Sequence, residues 1–379
     1  MIPYGHQLIS AADIAAVTEV LQSDWLTQGP AGPLFERALA DLCQSKHALG
    51  VSSATAALHL ACLALGVGQG DRVWTSPNTF VASANCARYC GAEVDFVDID
   101  PRTRNMCAQA LAEKLRLAAL KNALPKVLIP VHFAGEPCDM AAISALAKQY
   151  GIKVIEDASH AIGAQYKDGS TVGGGQYAEL TVFSFHPVKI ITTAEGGALL
   201  CQDDALFARL NRLRSHGITR DSGAMDQCDG PWYYQQLELG FNYRLSDLQA
   251  ALGRSQLNEL AAFIQRRRDL ARRYHQLLAG LPIQLPVKSE HSAWHLYVIE
   301  VDAAQRAAIF SALRAADIGA NVHYIPVHLQ PYYRELGFKL GDFPNSEAYY
   351  SGAITLPLYA DLSEEQQDFV VSILTKACQ

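Results

Sequence analysis

Residues 179–197 read ELTVFSFHPVKIITTAEGG, and the rest of the chain is organised around them. Thr181–Phe185 is a strand-like run that ends in a polar turn containing Ser184, His186 and Pro187. Lys189 follows, set among Val188, Ile190 and Ile191, before two threonines and Glu195-Gly196-Gly197. Burying an ammonium is costly unless its pKa falls or its charge is removed. A lysine in such a setting is suited to forming a Schiff base with an aldehyde. A partly exposed loop lysine is the plain alternative, and this stretch alone leaves both open.

Working outward, Ile152–Glu156 is an apolar strand that runs directly into Asp157. His47–Ser52, Arg72–Thr75, Val94–Val97 and Val127–Val131 are also strand-like. Helical patterns lie between them near residues 54–65, 79–89 and 141–150. This alternation predicts an α/β fold, a mostly parallel sheet flanked by helices. Ligands in such sheets sit at the carboxyl ends of the strands, which gathers Ala54, Thr55, Phe80, Asp157, Ser184 and Lys189 near one rim. The turn Ser53-Ala54-Thr55, between a strand and a helix, offers free N–H groups and a helix dipole to an anion.

Ser10 caps an opening helix over 10–22, and Phe35–Leu42 reads as a second. Residues 219–247 are polar, aromatic and irregular, and a long helix follows from about Ser246 to Leu278. Shorter mixed elements come next: a strand at Leu296–Val301, a helix at Ala303–Ala316 and a strand near Ala320–Tyr324. A final helix starts at Ser363, boxed by Gln366, with Phe369, Val370, Ile373 and Leu374 inward. The pattern divides the chain into a large α/β domain over 1–245 and a linking helix with a small α+β domain over 246–379.

The chain has 379 residues, half of them hydrophobic, and a net charge of −7, so a large core is expected and nucleic acid is a poor partner. The first residues, MIPYGHQLIS, carry no basic and apolar leader, and no apolar run reaches membrane-spanning length. Nine scattered cysteines, with no C-x-x-C pair, read as reduced thiols of a cytoplasmic protein and not as a metal site.

Three positions near the predicted rim admit two roles each. Asp157 suits the charge that holds a proton on a heterocyclic nitrogen, or equally the N-cap of the segment that follows. His160 suits contact with the same ligand or a structural hydrogen bond. Phe80 suits stacking on a planar ring or ordinary packing. None is specific alone; their order around a single apolar lysine is.

Together these residues resemble the DegT/DnrJ/EryC1/StrS family of sugar aminotransferases, pyridoxal-phosphate (PLP) enzymes of the aspartate-aminotransferase fold type I. The resemblance rests on LTQGP (Leu26–Pro30), SSATAALH (Ser52–His59), NTFVASAN (Asn78–Asn85) and VHFAG (Val131–Gly135). EDASHA (Glu156–Ala161), FSFHPVKIITTAEGG (Phe183–Gly197) and RSHGI (Arg214–Ile218) continue it, as do NYRLSDLQAALGRSQL (Asn242–Leu257) and VHYIPVH (Val322–His328). It is strongest to the PseC-type branch that serves pseudaminic acid synthesis.

The resemblance implies that Lys189 is the lysine linked to the cofactor aldehyde, with Asp157 and His160 beside it in the catalytic set. Asp157 would partner the pyridine nitrogen, Phe80 would stack on the ring, and Ala54, Thr55 and Ser184 would bind the phosphate. Asn242 would reach the phosphate of the neighbouring subunit, so a homodimer with shared sites is implied. Tyr4, Asp24, Trp25, Leu26 and Thr27, with His323, Tyr324, Ile325 and Pro326, match segments that contact the nucleotide sugar. Ala54 departs from the glycine common in relatives, and a backbone N–H contact survives that change.

The implied reaction is transfer of the amino group of L-glutamate to C4 of a UDP-linked 4-keto-6-deoxy-N-acetylhexosamine. The products are UDP-4-amino-4,6-dideoxy-N-acetyl-β-L-altrosamine and 2-oxoglutarate. A related 3- or 4-aminotransferase acting on another sugar epimer is the nearest alternative. A dehydratase of the same fold would carry histidine in place of Lys189. A regulatory protein without turnover is disfavoured by the intact Lys189, Asp157 and Ser184.

Overall fold

The computed structural model describes residues 1–379. Its centre is a seven-stranded sheet. In chain order the strands are β1 (His47–Val51), β2 (Arg72–Thr75), β3 (Glu93–Phe96), β4 (Val127–Ile129), β5 (Lys153–Asp157), β6 (Leu180–Ser184) and β7 (Gly197–Cys201). Across the sheet the order is β1-β7-β6-β5-β4-β2-β3, and only β7 runs against the others. A mostly parallel sheet needs cover on both faces, because its connections are helices that lie over them.

The period-two alternation of the strands divides the interior into two cores. Trp74, Val154, Phe183 and Leu200 point to one face. There they meet α2 (Ala31–Cys43), α5 (Ala108–Leu120), α6 (Met140–Tyr150) and α8 (Asp247–Leu277). Val73, Ile155, Val182 and Leu199 point to the other, against α3 (Ala54–Ala64), α4 (Ala82–Tyr89) and α7 (Asp204–Arg214). The opening helix α1 (Ala11–Leu21) has a full capping box between Ser10 and Asp13.

Helix α8, 31 residues long, carries the chain from this sheet into a second unit. That unit has its own core around an antiparallel pair, β8 (Tyr297–Glu300) with β9 (Ala353–Leu356). It adds α9 (Arg306–Ala315), α10 (Pro331–Glu335), α11 (Pro344–Gly352) and α12 (Glu364–Ala377). The units are joined by the Arg104–Glu300 ion pair and by Asp98, which accepts hydrogen bonds from the Ser346 N–H and hydroxyl. The first residues also cross over: Ile2–Pro3 pairs in parallel with Ile318–Gly319.

Three local expectations differ from the structure. The strand expected near Ala320–Tyr324 is instead the short Ile318–Gly319 pair, and residues 320–324 form a loop that leads to the site. Helix α4 begins at Ala82 rather than Thr79, because Thr79 and Phe80 belong to the turn after β2. Phe369 in α12 is 44% exposed, while Val370 and Leu374 are buried as expected.

Candidate active site

At the carboxyl ends of the parallel strands the two units enclose a cavity of about 460 Å³. Each side chain in it arrives by a definite local cause. Asp157 is the last residue of β5 and Ser184 the last of β6. Ser184 pairs with Gly197 at the start of β7, and Gly197 pairs with Val51 at the end of β1. The chain then turns into α3, whose N-cap Ser53 accepts a hydrogen bond from Ala56 N–H at 3.1 Å. A Cβ on Gly197 would lie 2.5 Å from the Ala54 nitrogen, so only glycine lets α3 approach the sheet this closely.

The N–H groups of Ala54 and Thr55 have no acceptor in the chain, and the Ser184 hydroxyl has no partner either. Two free N–H groups at a helix start with a hydroxyl beside them form a cradle for a phosphate.

Across the cavity, Asp157 is 5% exposed. Its Oδ2 accepts from the Ser83 hydroxyl at 2.6 Å and its Oδ1 from the Ser159 N–H at 3.1 Å. The Ser159 bond is the local turn that the capping role of Asp157 anticipates, so one side chain serves both its turn and the cavity.

Lys189 lines the same cavity with no hydrogen bond to its amine. Its side chain is half-buried, yet the protein around it pushes the pKa down to about 8, with the charge of Asp157 opposing. His160 is held by Ala134 N–H donating to Nδ1 at 3.3 Å. That fixes the proton on Nε2, which donates to the Tyr324 hydroxyl at 3.2 Å. Burial, then the charges of Lys189 and His323, keep His160 well below the ordinary histidine range. Burial and Lys189 likewise bring His323 to about 3. The imidazoles of His160 and His323 are therefore neutral.

Tyr4, Ala54, Thr55, Phe80, Asp157, His160, Ser184, Lys189, His323 and Tyr324 all line this cavity. Phe80 is 58% exposed, its ring 6.3 Å from that of Tyr324. Other expected residues are not brought in by the same chain. Asn242 is exposed and bridged to Ser215. Asp24, Trp25, Leu26 and Thr27 are exposed in the loop between α1 and α2. Ile325 and Pro326 lie just beyond the lining, Ile325 facing solvent and Pro326 buried.

Sequence reasoning overlooked Ser83 and Ser159, which hold Asp157, and Asn321, which lines the cavity beside His323. Thr79 and Ser83 stand four residues apart, the spacing that aligns hydroxyls along one face of a helix. That signal was present in the sequence but is common.

A covered parallel sheet with a lysine, a buried carboxylate and a phosphate cradle at its rim is the site of a PLP-dependent enzyme. The residues fit that cofactor, since the unpartnered donors at Ala54, Thr55 and Ser184 face the same space as Asp157 and Lys189. The chain matches the DegT/DnrJ/EryC1/StrS aminotransferase family over residues 7–375 and belongs to it.

Among curated relatives, the Bacillus subtilis (strain 168) spore coat polysaccharide biosynthesis protein SpsC is 39% identical over 379 residues. The alignment covers 98% of this chain and 95% of that protein. Among solved structures, Helicobacter pylori PseC, an aminotransferase involved in the biosynthesis of pseudoaminic acid, is 31% identical with a TM-score of 0.91. That match covers 99% of this chain and 98% of the other. The PMP form of Spr1654 from Streptococcus pneumoniae is 32% identical with a TM-score of 0.90, covering 100% and 99%. This chain is thus a sugar aminotransferase that uses PLP. No helix is long and apolar enough to cross a membrane.

Proposed function

We propose that the protein transfers the amino group of L-glutamate to C4 of a UDP-linked 4-keto-6-deoxy-N-acetylhexosamine. The product would be UDP-4-amino-4,6-dideoxy-N-acetyl-β-L-altrosamine, on the route to pseudaminic acid. The observation that carries this reading is the full-length likeness to PseC, at TM-score 0.91. The 39% identity to SpsC favours a second reading, a nucleotide sugar of another configuration destined for a surface polysaccharide. We further propose that the working unit is a cytoplasmic homodimer with shared sites.

In this reading Ala54 N–H, Thr55 N–H and the Ser184 hydroxyl would hold the cofactor phosphate. Phe80 would cover the ring, Asp157 would hold the proton on its nitrogen, and Lys189 would make the covalent link. The cofactor supplies the aldehyde that carries the amino group and the ring that accepts electrons. The chain supplies proton transfer and position. The Lys189 amine takes the α-proton of glutamate and later delivers a proton to C4 of the sugar. A pKa near 8 keeps an appreciable neutral fraction ready for the first of these tasks. Tyr324, fixed by His160, and His323 border the sugar side of the cavity, where Tyr4 and the partner's residues would meet the nucleotide.

The test follows the absorbance of the holoenzyme as L-glutamate and then separate keto sugars are added. Glutamate should convert bound cofactor to its amine form, and the UDP-4-keto-6-deoxy-β-L-arabino epimer should reverse the change. Reversal only by the other C5 epimer, or by a 3-keto sugar, would move the assignment to the second reading.

A further inference from the structure

The tie that holds Asp157 comes from two hydroxyls on and before α4. Ser83 is fully buried, and its Oγ stands 2.6 Å from Asp157 Oδ2, 2.8 Å from Thr79 Oγ1 and 3.4 Å from the Phe80 carbonyl. One hydroxyl has one hydrogen to give, and the shortest contact is to a carboxylate, which can only accept. Ser83 therefore donates to Asp157, and Thr79, 2% exposed, must donate to Ser83. Both hydroxyls lead to one carboxylate oxygen, from the α4 side of the sheet. The Ser159 N–H fixes the other oxygen from the chain's own turn.

Ser83 is a buried polar residue in a helix whose other buried positions are Ala82, Ala84, Cys86 and Ala87, and its hydroxyl is the sole side-chain donor to Asp157. We infer that Ser83, oriented by Thr79, is a positioning residue that aims the Asp157 carboxylate at the cofactor's ring nitrogen. The inference rests on the assignment of Asp157 to that nitrogen. It carries a consequence for the segment Asn78–Asn85: Phe80 covers the ring while Ser83, one turn on, fixes the ring's charge partner. One short stretch after β2 thus serves both the face and the nitrogen of the cofactor.

The experiment compares Ser83→Ala, Ser83→Thr, Thr79→Val and Asp157→Asn with the parent holoenzyme. Three quantities are read: the cofactor dissociation constant by apoenzyme titration, the pH titration of the bound cofactor's absorbance, and kcat and KM for the sugar half-reaction. Ser83→Ala should weaken cofactor binding and slow the half-reaction by roughly tenfold, the size set by one hydrogen bond to a charged group. It should also shift the absorbance titration in the direction that Asp157→Asn shifts it, and leave KM for the sugar unchanged.

Thr79→Val should give a smaller change of the same kind, and Ser83→Thr should restore the parent titration. A Ser83→Ala titration identical to the parent, beside a shifted Asp157→Asn titration, would overturn the inference. So would Ser83→Thr behaving like Ser83→Ala. If Asp157→Asn itself leaves titration and affinity unchanged, the assignment of Asp157 fails, and the role of Ser83 fails with it. Ser83→Ala failing to fold while Ser83→Thr folds with a shifted titration would also count against it.

Discussion

Lys189 shows how a single side chain acquires its chemistry from its surroundings. An ordinary lysine has a pKa of about 10.4 and is nearly all ammonium at neutral pH. Here burial outweighs the opposing charge of Asp157 and lowers it to about 8. A group whose folded pKa is depressed releases its proton earlier, so the nucleophilic amine becomes the majority form above about pH 8. The rate at which the apoenzyme's Lys189 is trapped by an aldehyde and borohydride should therefore rise through a midpoint near that value. A midpoint near 10 would mean that the amine is solvated like any surface lysine. This residue was legible in the sequence because an amine among Val188, Ile190 and Ile191 is chemically out of place. Asp157 was legible for the same reason, a carboxylate at the end of an apolar strand. Ser83 was not, since a hydroxyl in a helix of small residues is common and its partner lies 74 positions away.

In the proposed site, the element that decides whether the cofactor's phosphate can be held is the start of α3. Its free N–H groups face the cavity only because Gly197 of β7 leaves no side chain beneath them. Gly197→Ala puts a methyl 2.5 Å from the Ala54 nitrogen and 2.6 Å from the Ser53 carbonyl carbon, both backbone atoms that cannot swing aside. The helix start must shift, at about 1–3 kcal/mol, the range for overpacking a filled site. Cofactor affinity should fall by roughly tenfold or more, as measured by titrating the apoenzyme, and the urea midpoint should fall with it. Ala54→Gly is the contrast: the N–H stays in place, and affinity should remain within a few-fold of the parent. Equal losses in both variants would mean that the cradle does not depend on the close approach. At this scale the sequence was informative wherever both faces of a strand are apolar: β4, β5 and β6 fall within a residue or two of their expected places. It was weaker where elements are short and set by partners distant in the chain. Nothing local in Ile318–Gly319 announces that it pairs with Ile2–Pro3. Helix α5, the 13 residues Ala108–Leu120, also went unread: Cys107 at its N-cap makes no side-chain cap hydrogen bond, so no capping residue marks its start.

At the scale of the whole molecule, the site assembled by one chain is incomplete against the set its sequence suggests. Lys189, Asp157, Ser184 and the α3 start share one cavity, whereas Asn242 and Asp24–Thr27 lie on the surface outside it. Trp25 is 55% exposed and Leu26 48%, an unusual exposure for large apolar side chains next to a segment expected to meet substrate. Two copies related by a two-fold axis would resolve this, each lending Asn242 and the 24–27 loop to the other's cavity. That arrangement makes a prediction that a self-sufficient chain does not. Lys189→Ala removes the amine proposed to make the covalent link and move the protons, and should lower turnover by orders of magnitude. If Asn242 meets the partner's cofactor phosphate as proposed, Asn242→Asp sets a carboxylate against it and should also abolish most activity, through lost binding. If the two residues act across the interface, a mixed dimer of the variants holds one doubly damaged site and one with both residues intact. Half of the randomly reassorted dimers are mixed, so co-expression should recover about a quarter of the parent turnover per chain, as symmetry requires. If Asn242 serves its own chain's cavity, every site carries one lesion and mixing recovers nothing. Each variant alone provides the baseline, and its mass in solution shows whether the dimer has formed. Recovery would establish that Asn242 and Lys189 meet from different chains; failure to recover in an intact dimer would place both in one chain's site, and an Asn242→Asp variant that keeps its activity alone would return Asn242 to a surface role.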